Sequence, residues 1–347
     1  MTRLVTVTAD NLKQFIRALF AASAFPMADA QVLADVLVWA NLRGVDSHGV
    51  LRVPRYLNMV ATGVMNPRPD IRVVQDRGAT VLIEADRAAG PVVMVQVAEH
   101  AINKAKANGI GIALARQTTH TGPVGYYARI AARAGFIGLC TNDSQPMMAY
   151  HGTRTPVFGT TPLAIAVPTE GGEPLMIDLA AAEAAMGKIH NARAAHADIP
   201  PGWALDKAGN PTTDPNHADI LMPLGGFKGA GLAFLIECMT GVLAQNPVTE
   251  KSLATNSRRH GQNALMIAID VSAFGPLDAF KAHAAALAAA VKGQPKADGV
   301  DEILAPGERG DRILAERSRS GIPIEPDTWA ALQKLADPRG VAMPVTL

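Results

Sequence analysis

Four side chains suited to proton and anion chemistry crowd together between Ser47 and Tyr56: a hydroxyl at Ser47, an imidazole at His48, a guanidinium at Arg52 and a phenol at Tyr56. An imidazole titrates near neutral pH, so it can take a proton or return one. A guanidinium grips a carboxylate through two parallel N–H donors. Gly44 and Gly49 sit on either side of the local turn at His48 and let backbone pass close to a ligand. Pro54 suits the first turn of a helix and not its interior. The spacing therefore predicts a turn at Ser47-His48-Gly49 running into a helix that starts near Val53. Arg52 and Tyr56, four apart, then share a face beside His48. An acid/base group next to a carboxylate clamp points to proton transfer on a small organic acid.

Further polar and glycine-rich segments lie next to apolar strands, where side chains can converge on one pocket. Thr118 to Tyr127 contains His120 and sits between a strand and a helix, a common place for a site. Asn142, Asp143 and Ser144 end the next strand. Gly152 to Pro162 closes with Phe158-Gly159-Thr160-Thr161-Pro162. His120 competes with His48 for the acid/base role. Asp143 would hold His120 in one tautomer, or serve only as turn chemistry. Tyr126 and Tyr127 are expected to pack a helix face. Gly225 to Gly231 opens a helix carrying Lys228, whose charge and free backbone N–H groups suit a phosphate; close packing through small residues is the plainer reading. No Gly-x-Gly-x-x-Gly follows a strand, which argues against a Rossmann dinucleotide fold. No His/Cys cluster has metal-ligand spacing, so no metal is expected.

These residues need a frame to hold them. The chain has 347 residues, 48% hydrophobic and 18% charged, with a net charge of +1. That is enough for one large or two ordinary domains with real cores. Without a basic or acidic block, nothing calls for nucleic acid or a membrane surface. Cys140 and Cys238 lie in apolar stretches and read as buried thiols of a reducing compartment. The first residues are too short and too polar downstream for a signal peptide, and no apolar run reaches the ~20 residues of a spanning helix. A cytoplasmic protein is expected.

Leu12, Phe15, Ile16, Leu19 and Phe20 recur at helix spacing after a Thr8/Asp10 start. Val32, Leu33, Val36, Leu37 and Ala40 form a second stripe, and Tyr56, Leu57 and Val60 a third. Strands are predicted at Thr80–Glu84, Gly111–Ala115, Phe136–Thr141, Leu163–Val167, Leu175–Leu179 and Asn263–Val271. Helices are predicted at Pro91–Asn108, Val124–Ala134, Lys228–Leu243, Asp278–Val291 and Asp327–Leu335, with a turn around Pro306 to Arg309 and loops at Gly293–Gly299 and Asn246–Gln262. Strands that both alternate with helices and follow one another favour an α+β class. The expected organisation is a non-Rossmann central α+β domain with a mixed or antiparallel sheet, 71–274. It is flanked by a discontinuous helical domain formed from 1–70 and 275–347.

At these residues the sequence resembles the type-2 malate/L-lactate dehydrogenase family, also called L-sulfolactate dehydrogenase-like. The resemblance runs through Arg43 to Val50 with Arg52 and Tyr56, then His120 with Gly122 ahead of Gly125-Tyr126-Tyr127-Ala128. It continues at Asn142, His151-Gly152, Phe158 to Pro162, Ile199 to Ala204 and Gly209 to Pro215, and ends at Pro223 to Gly229. It implies an NAD(P)-dependent oxidoreductase acting on a small carboxylate next to a C–OH, C=O or C=N carbon, built as a homodimer or a dimer of dimers. On that reading His48 is the proton donor and acceptor, Arg52 the carboxylate clamp and Tyr56 the shaper of that grip. Ser47 steers the imidazole or meets the cofactor, and His120 bonds the substrate oxygen with Asp143 behind it. Ser47, His120, Asn142, Gly159, Thr160, Thr161, Pro162, Asp178 and Lys228 are the cofactor candidates. NAD or NADP stays open, since Lys188 and Arg193 could meet the 2′-phosphate of NADP or simply face solvent. The chain departs from the family at Thr161, usually Asn, and at Leu179-Ala180-Ala181-Ala182, usually Met-Ala-Thr-Ser. The alternatives are a reductase of cyclic imino acids or N-alkyl amino acids and, more remotely, a non-catalytic acid binder or a hydrolase using His48, His120 and Asp143.

Overall fold

The computed structural model describes residues 4–249 and 261–347. Most of the loop expected over Asn246–Gln262 lies outside the described residues. At the start of the chain, β1 (Val5–Val7) leads to α1 (Ala9–Ala21), α2 (Met27–Leu42) and α3 (Val53–Ala61). Thr8 caps α1, its hydroxyl accepting the Asn11 N–H at 3.2 Å. The five apolar residues of the first stripe are all buried. Helix α2 is buried nearly all round from Leu33 to Leu42, wider than the predicted stripe, as suits a helix packed on several sides.

The centre of the chain is a sheet with helices laid on it. In order come β2 (Arg72–Arg77), β3 (Thr80–Glu84), α4 (Gly90–Asn108), β4 (Ile110–Thr118), α5 (Gly125–Arg133) and β5 (Phe136–Asn142). Then follow β6 (Met148–Ala149), β7 (Pro156–Phe158), β8 (Leu163–Val167), β9 (Leu175–Leu179) and α6 (Met186–Ala194). The short strands β10 (Ala204–Leu205), β11 (Pro211–Thr212) and β12 (Ile220–Leu221) precede α7 (Phe227–Glu237) and β13 (Gln262–Asp270). The main sheet has the order β2-β3-β4-β13-β5-β8-β9. Only its β3–β4 pair is parallel. The mixed, mainly antiparallel α+β reading therefore holds.

Alternation along the strands sorts the core. Ala113, Ala115, Ala264, Met266 and Ala268 face α4 and α5, while Leu114 and Leu265 face the other way. Small residues let the helices sit close: a Cβ on Gly138 of β5 would lie 2.4 Å from the Ala128 carbonyl of α5. A second sheet, β11-β10-β12-β6-β7, was not foreseen. Its strands of two or three residues are too short to show a period.

The chain then returns to helices: α8 (Leu277–Lys292), α9 (Glu308–Ser320), β14 (Ile322–Ile324) and α10 (Pro326–Ala336). Strand β14 pairs antiparallel with β1, and Ile322, Ile324, Leu332 and Ala336 share one core with α1, α2 and α3. Helix α8 buries no residue and takes no part in that core. The predicted turn around Pro306 to Arg309 is the entry to α9, a helix the sequence pattern did not reveal. The predicted helix at Lys228–Leu243 is α7 followed by a π-helical turn at Cys238–Val242. Cys140 is buried as expected, whereas Cys238 is only half-buried, because that turn is open on one side. Among the described residues, no helix is long and apolar enough to cross a membrane.

Candidate active site

The turn carrying His48 forms as expected. Asp46–His48 and Val50–Arg52 are two short 3-10 turns on either side of Gly49, and α3 starts at Val53 with Pro54 in its first turn. Asn41, buried on α2, fills the concave side of the turn. Its Oδ1 accepts the Val50 N–H at 2.8 Å and its Nδ2 donates to Asp46 Oδ1 at 2.6 Å. Gly49 is required there, since a Cβ would stand 2.2 Å from Asn41 Oδ1. Sequence reasoning missed Asn41, although a lone amide in an apolar helix was a visible signal.

Two histidines meet at this turn. Strand β4 delivers His120, whose ring stacks on that of His48 with centroids 5.6 Å apart and planes 18° from parallel. Thr119 anchors the approach, its hydroxyl donating to the Ala88 carbonyl at 2.9 Å. The Ser47 hydroxyl is 3.0 Å from His48 Nδ1. The Tyr56 hydroxyl is 2.7 Å from His120 Nδ1. Burial raises the Tyr56 phenol pKa, so it stays protonated and donates. A neutral imidazole that accepts at Nδ1 carries its proton on Nε2, which makes His120 a hydrogen-bond donor to a ligand oxygen.

The electrostatics have a clear sign. Burial, and then the Arg52 charge, lower the pKa of His48 from 6.5 to about 4. Burial, His48 and Arg52 hold His120 well below its ordinary value. Arg52 Nε donates to the Ser47 carbonyl at 2.6 Å. Its guanidinium has no carboxylate partner among the described residues. A partly buried cation without a counterion beside two neutral imidazoles is a receptor for an anion.

Asp143 does not hold His120. It is fully buried and lies opposite Asn263, whose backbone N–H and Nδ2 donate to it at 2.7 and 2.6 Å. Burial and the nearby Glu237 carboxyl push its pKa well up. Tyr56 occupies the place behind His120 that had been expected for Asp143. This also removes the His/Asp arrangement on which a hydrolase would rest. Tyr127 is buried in a helix face as expected, with its hydroxyl donating to the Thr121 carbonyl. Asn142 is buried, accepting from the Thr121 hydroxyl at 3.0 Å and donating to the Asp143 carbonyl at 2.7 Å.

The remaining candidates form a contiguous surface. The Ala181 N–H donates to the Thr160 carbonyl at 2.8 Å, and the Leu224 N–H to the Ala181 carbonyl at 2.8 Å. These bonds join the Gly159–Pro162 segment, the exit of β9 and the entry to α7. Asp178 accepts the Gly125 N–H at 2.9 Å. Ala181 and Ala182 are buried in the core of the small sheet, so the departure at those two positions fills packed space. Gly229 packs close to the Ala181 carbonyl, as the plainer reading of the glycine run expects. Lys228 stands exposed in the first turn of α7, where a helix favours phosphate. Lys188 lies over the Trp203 ring at 5.4 Å, and Arg193 donates to the Pro215 carbonyl at 2.7 Å.

Thr161 carries two unusual features. Its φ is +34°, a region that favours glycine and asparagine, and its hydroxyl is buried without a hydrogen-bond partner among the described residues. An orphan hydroxyl in this segment fits contact with a bound cofactor. Thr161→Asn is expected to stabilise the ligand-free protein by about 1 kcal/mol through relief of backbone strain. Denaturant unfolding checks this, and a destabilised variant refutes the strain.

The chain is similar to known proteins over nearly its whole length. The malate/L-lactate dehydrogenase family model matches residues 7–333. A malate dehydrogenase of Pyrococcus horikoshii is 35% identical, covering 97% of this chain and 96% of its own. The structure of sulfolactate dehydrogenase from Methanocaldococcus jannaschii matches with a TM-score of 0.89 at 34% identity, over 97% of this chain and 98% of that one. The structure of Δ1-piperideine-2-carboxylate reductase from Pseudomonas syringae matches with a TM-score of 0.84 at 27% identity, over 95% and 99%.

Proposed function

The chain belongs to the malate/L-lactate dehydrogenase family, and from that premise we propose that it interconverts a small 2-hydroxy acid and its 2-oxo acid with a nicotinamide cofactor. The observation that carries this is Arg52, a guanidinium without a carboxylate partner among the described residues, beside the stacked His48–His120 pair. Arg52 binds the substrate carboxylate. His120, donating from Nε2, bonds the oxygen on the neighbouring carbon. His48 takes the hydroxyl proton in oxidation and returns it in reduction, with Ser47 fixing its ring. The nicotinamide, when bound, supplies or accepts the hydride. Thr161, Asp178 and Lys228, with Gly159, Thr160 and Pro162, are the residues that would hold it. The engagement of Lys188 with Trp203 and of Arg193 with Pro215 supports NAD over NADP.

A second reading rests on the His48 pKa of about 4. An imine arrives already protonated, so reducing C=N asks less of a neutral histidine than reducing C=O. The likeness to a piperideine-2-carboxylate reductase supports it. One experiment separates the two: absorbance of NADH and of NADPH with a panel of 2-oxo acids, each with and without ammonia or methylamine. Turnover with the 2-oxo acid alone supports the hydroxy-acid reading, and turnover only with amine supports the imine reading. No turnover or cofactor binding in any mixture refutes both.

The chain division 1–70 with 275–347 around 71–274 is part of the same proposal, supported by the β1–β14 pair. We also propose self-association. Phe227, Phe234, Leu235, Met239, Val242 and Leu243 recur at helix spacing along α7 and its π turn, and all are exposed. A row of this size marks an interface. Sedimentation of a monomer at micromolar concentration would refute it.

A further inference from the structure

Helix α9 reaches back to the turn that carries His48. Arg317 lies on it, 271 residues from Asp46 in sequence. Its Nη1 donates to Asp46 Oδ1 at 2.7 Å and also to the Asn41 carbonyl, and its Nη2 donates to Asp46 Oδ2 at 3.2 Å. Asp46 is the first residue of the 3-10 turn that ends at His48, and the same Oδ1 accepts from Asn41 Nδ2. Arg317, Asp46 and Asn41 thus form one connected group around the turn. Six residues earlier on the same helix, Asp311 pairs with Arg43, whose Nη2 also donates to the Gly307 carbonyl at 2.9 Å. Helix α9 therefore holds the chain at both ends of the segment 43–46. It buries no residue completely: half-buried Leu314 packs against the core and Ile313 lies against Gly44, and these polar contacts set its position over the turn.

The Arg317 side chain is 18% exposed and its partner 48%. A pair this exposed adds little to global stability. Its fork geometry does fix the orientation of what it grips. We propose that Arg317 is a positioning residue for His48: through Asp46 and Asn41 it sets the pose of the Asp46–His48 turn, and with it the stacking of His48 on His120. The proposal rests on the reading of His48 as the acid/base group. Arg317 makes its hydrogen bonds to Asp46 and Asn41 and none to His48 or Arg52, so its effect should fall on turnover and spare substrate affinity. A misplacement of about 1 Å is enough to cost 10²-fold in rate.

The test is steady-state kinetics of the full chain with its preferred acid and cofactor, beside thermal unfolding, for Arg317→Ala, Arg317→Lys, Asp46→Asn and the double variant. Arg319→Ala, on the exposed side of α9, is the control for loss of helix charge. Arg317→Ala should lower kcat by about 10²-fold with KM for the acid near the wild-type value. Arg317→Lys should recover part of that loss. Arg317→Ala/Asp46→Asn should be no slower than the worse single variant. In a His48→Gln background, Arg317→Ala should change the residual rate no further. If Arg317→Ala fails to fold, a reduced kcat at unchanged melting temperature in Arg317→Lys carries the test. The proposal is overturned if Arg317→Ala only lowers the melting temperature while kcat holds, or if the same loss recurs in the His48→Gln background. Wild-type turnover in His48→Gln alone overturns instead the reading on which the proposal rests.

Discussion

His48→Ala lowers turnover by ~10²–10⁴-fold, the usual contribution of a positioned acid/base group, with the fold intact. The fold should survive because His48 lies on a short turn held from behind by Asn41. The pH dependence gives a second, independent signature. The free-enzyme pKa of His48 is lowered from 6.5 to about 4, by burial first and Arg52 second. Oxidation needs the neutral ring, so kcat/KM for the hydroxy acid should be flat through neutral pH and fall as pH drops through about 4. Reduction of the oxo acid needs the protonated ring, so its kcat/KM should decline as pH rises above about 4. A carboxylate bound at Arg52 cancels the cation beside His48 and raises its pKa. The apparent pKa in kcat, which reports the complex, should therefore lie above the one in kcat/KM. His120→Ala is the companion measurement. Near-wild-type turnover in His48→Ala, with the full loss in His120→Ala, would exchange the two roles.

The reactive turn was legible because its information is local. Ser47 to Tyr56 lies within a few turns of chain, and Pro54 and Gly49 mark its geometry. Helix α1, with its Thr8 cap, and the long strands were legible for the same reason, since period and cap sit within one element. Asp143 was not, because its partner depends on register. Pairing Asn142 with Ala264 sets Asp143 opposite Asn263 on β13, a match made across 120 residues. Helix α9 was invisible for a different reason. Its sequence is mostly charged, and Ile313 and Leu314 alone, half-buried, are too few to show an apolar stripe. The polar contacts that help seat it, Asp311 with Arg43 and Arg317 with Asp46, join residues some 270 positions apart. The departure at Thr161 was visible in the sequence, but its meaning was not: only the positive φ explains why the family usually has asparagine there.

Arg52→Gln lowers kcat/KM for the acid by about 10²–10³-fold, within the range for truncating one partner of a desolvated charge pair. Most of that loss should appear in KM. The guanidinium contacts the substrate carboxylate equally in the ground and transition states, and an interaction of that kind is lost from binding. Arg52→Lys should restore only part of it, because an ammonium is a point charge and cannot match both carboxylate oxygens as a planar fork does. The discriminating substrate is an uncharged one, such as the methyl ester of the preferred 2-oxo acid. The wild type should use the ester poorly, and Arg52→Gln should use it about as well as the wild type does. Equal losses on acid and ester would show that Arg52 supports the turn through its bond to the Ser47 carbonyl and does not clamp the substrate. The substitution also removes one of the two causes that depress His48. The fall in hydroxy-acid oxidation at low pH should therefore shift upward, while burial, the larger cause, keeps it below 6.5. A substrate preference that collapses together with an upward pKa shift at His48 is a pair of effects that a merely structural Arg52 would not produce.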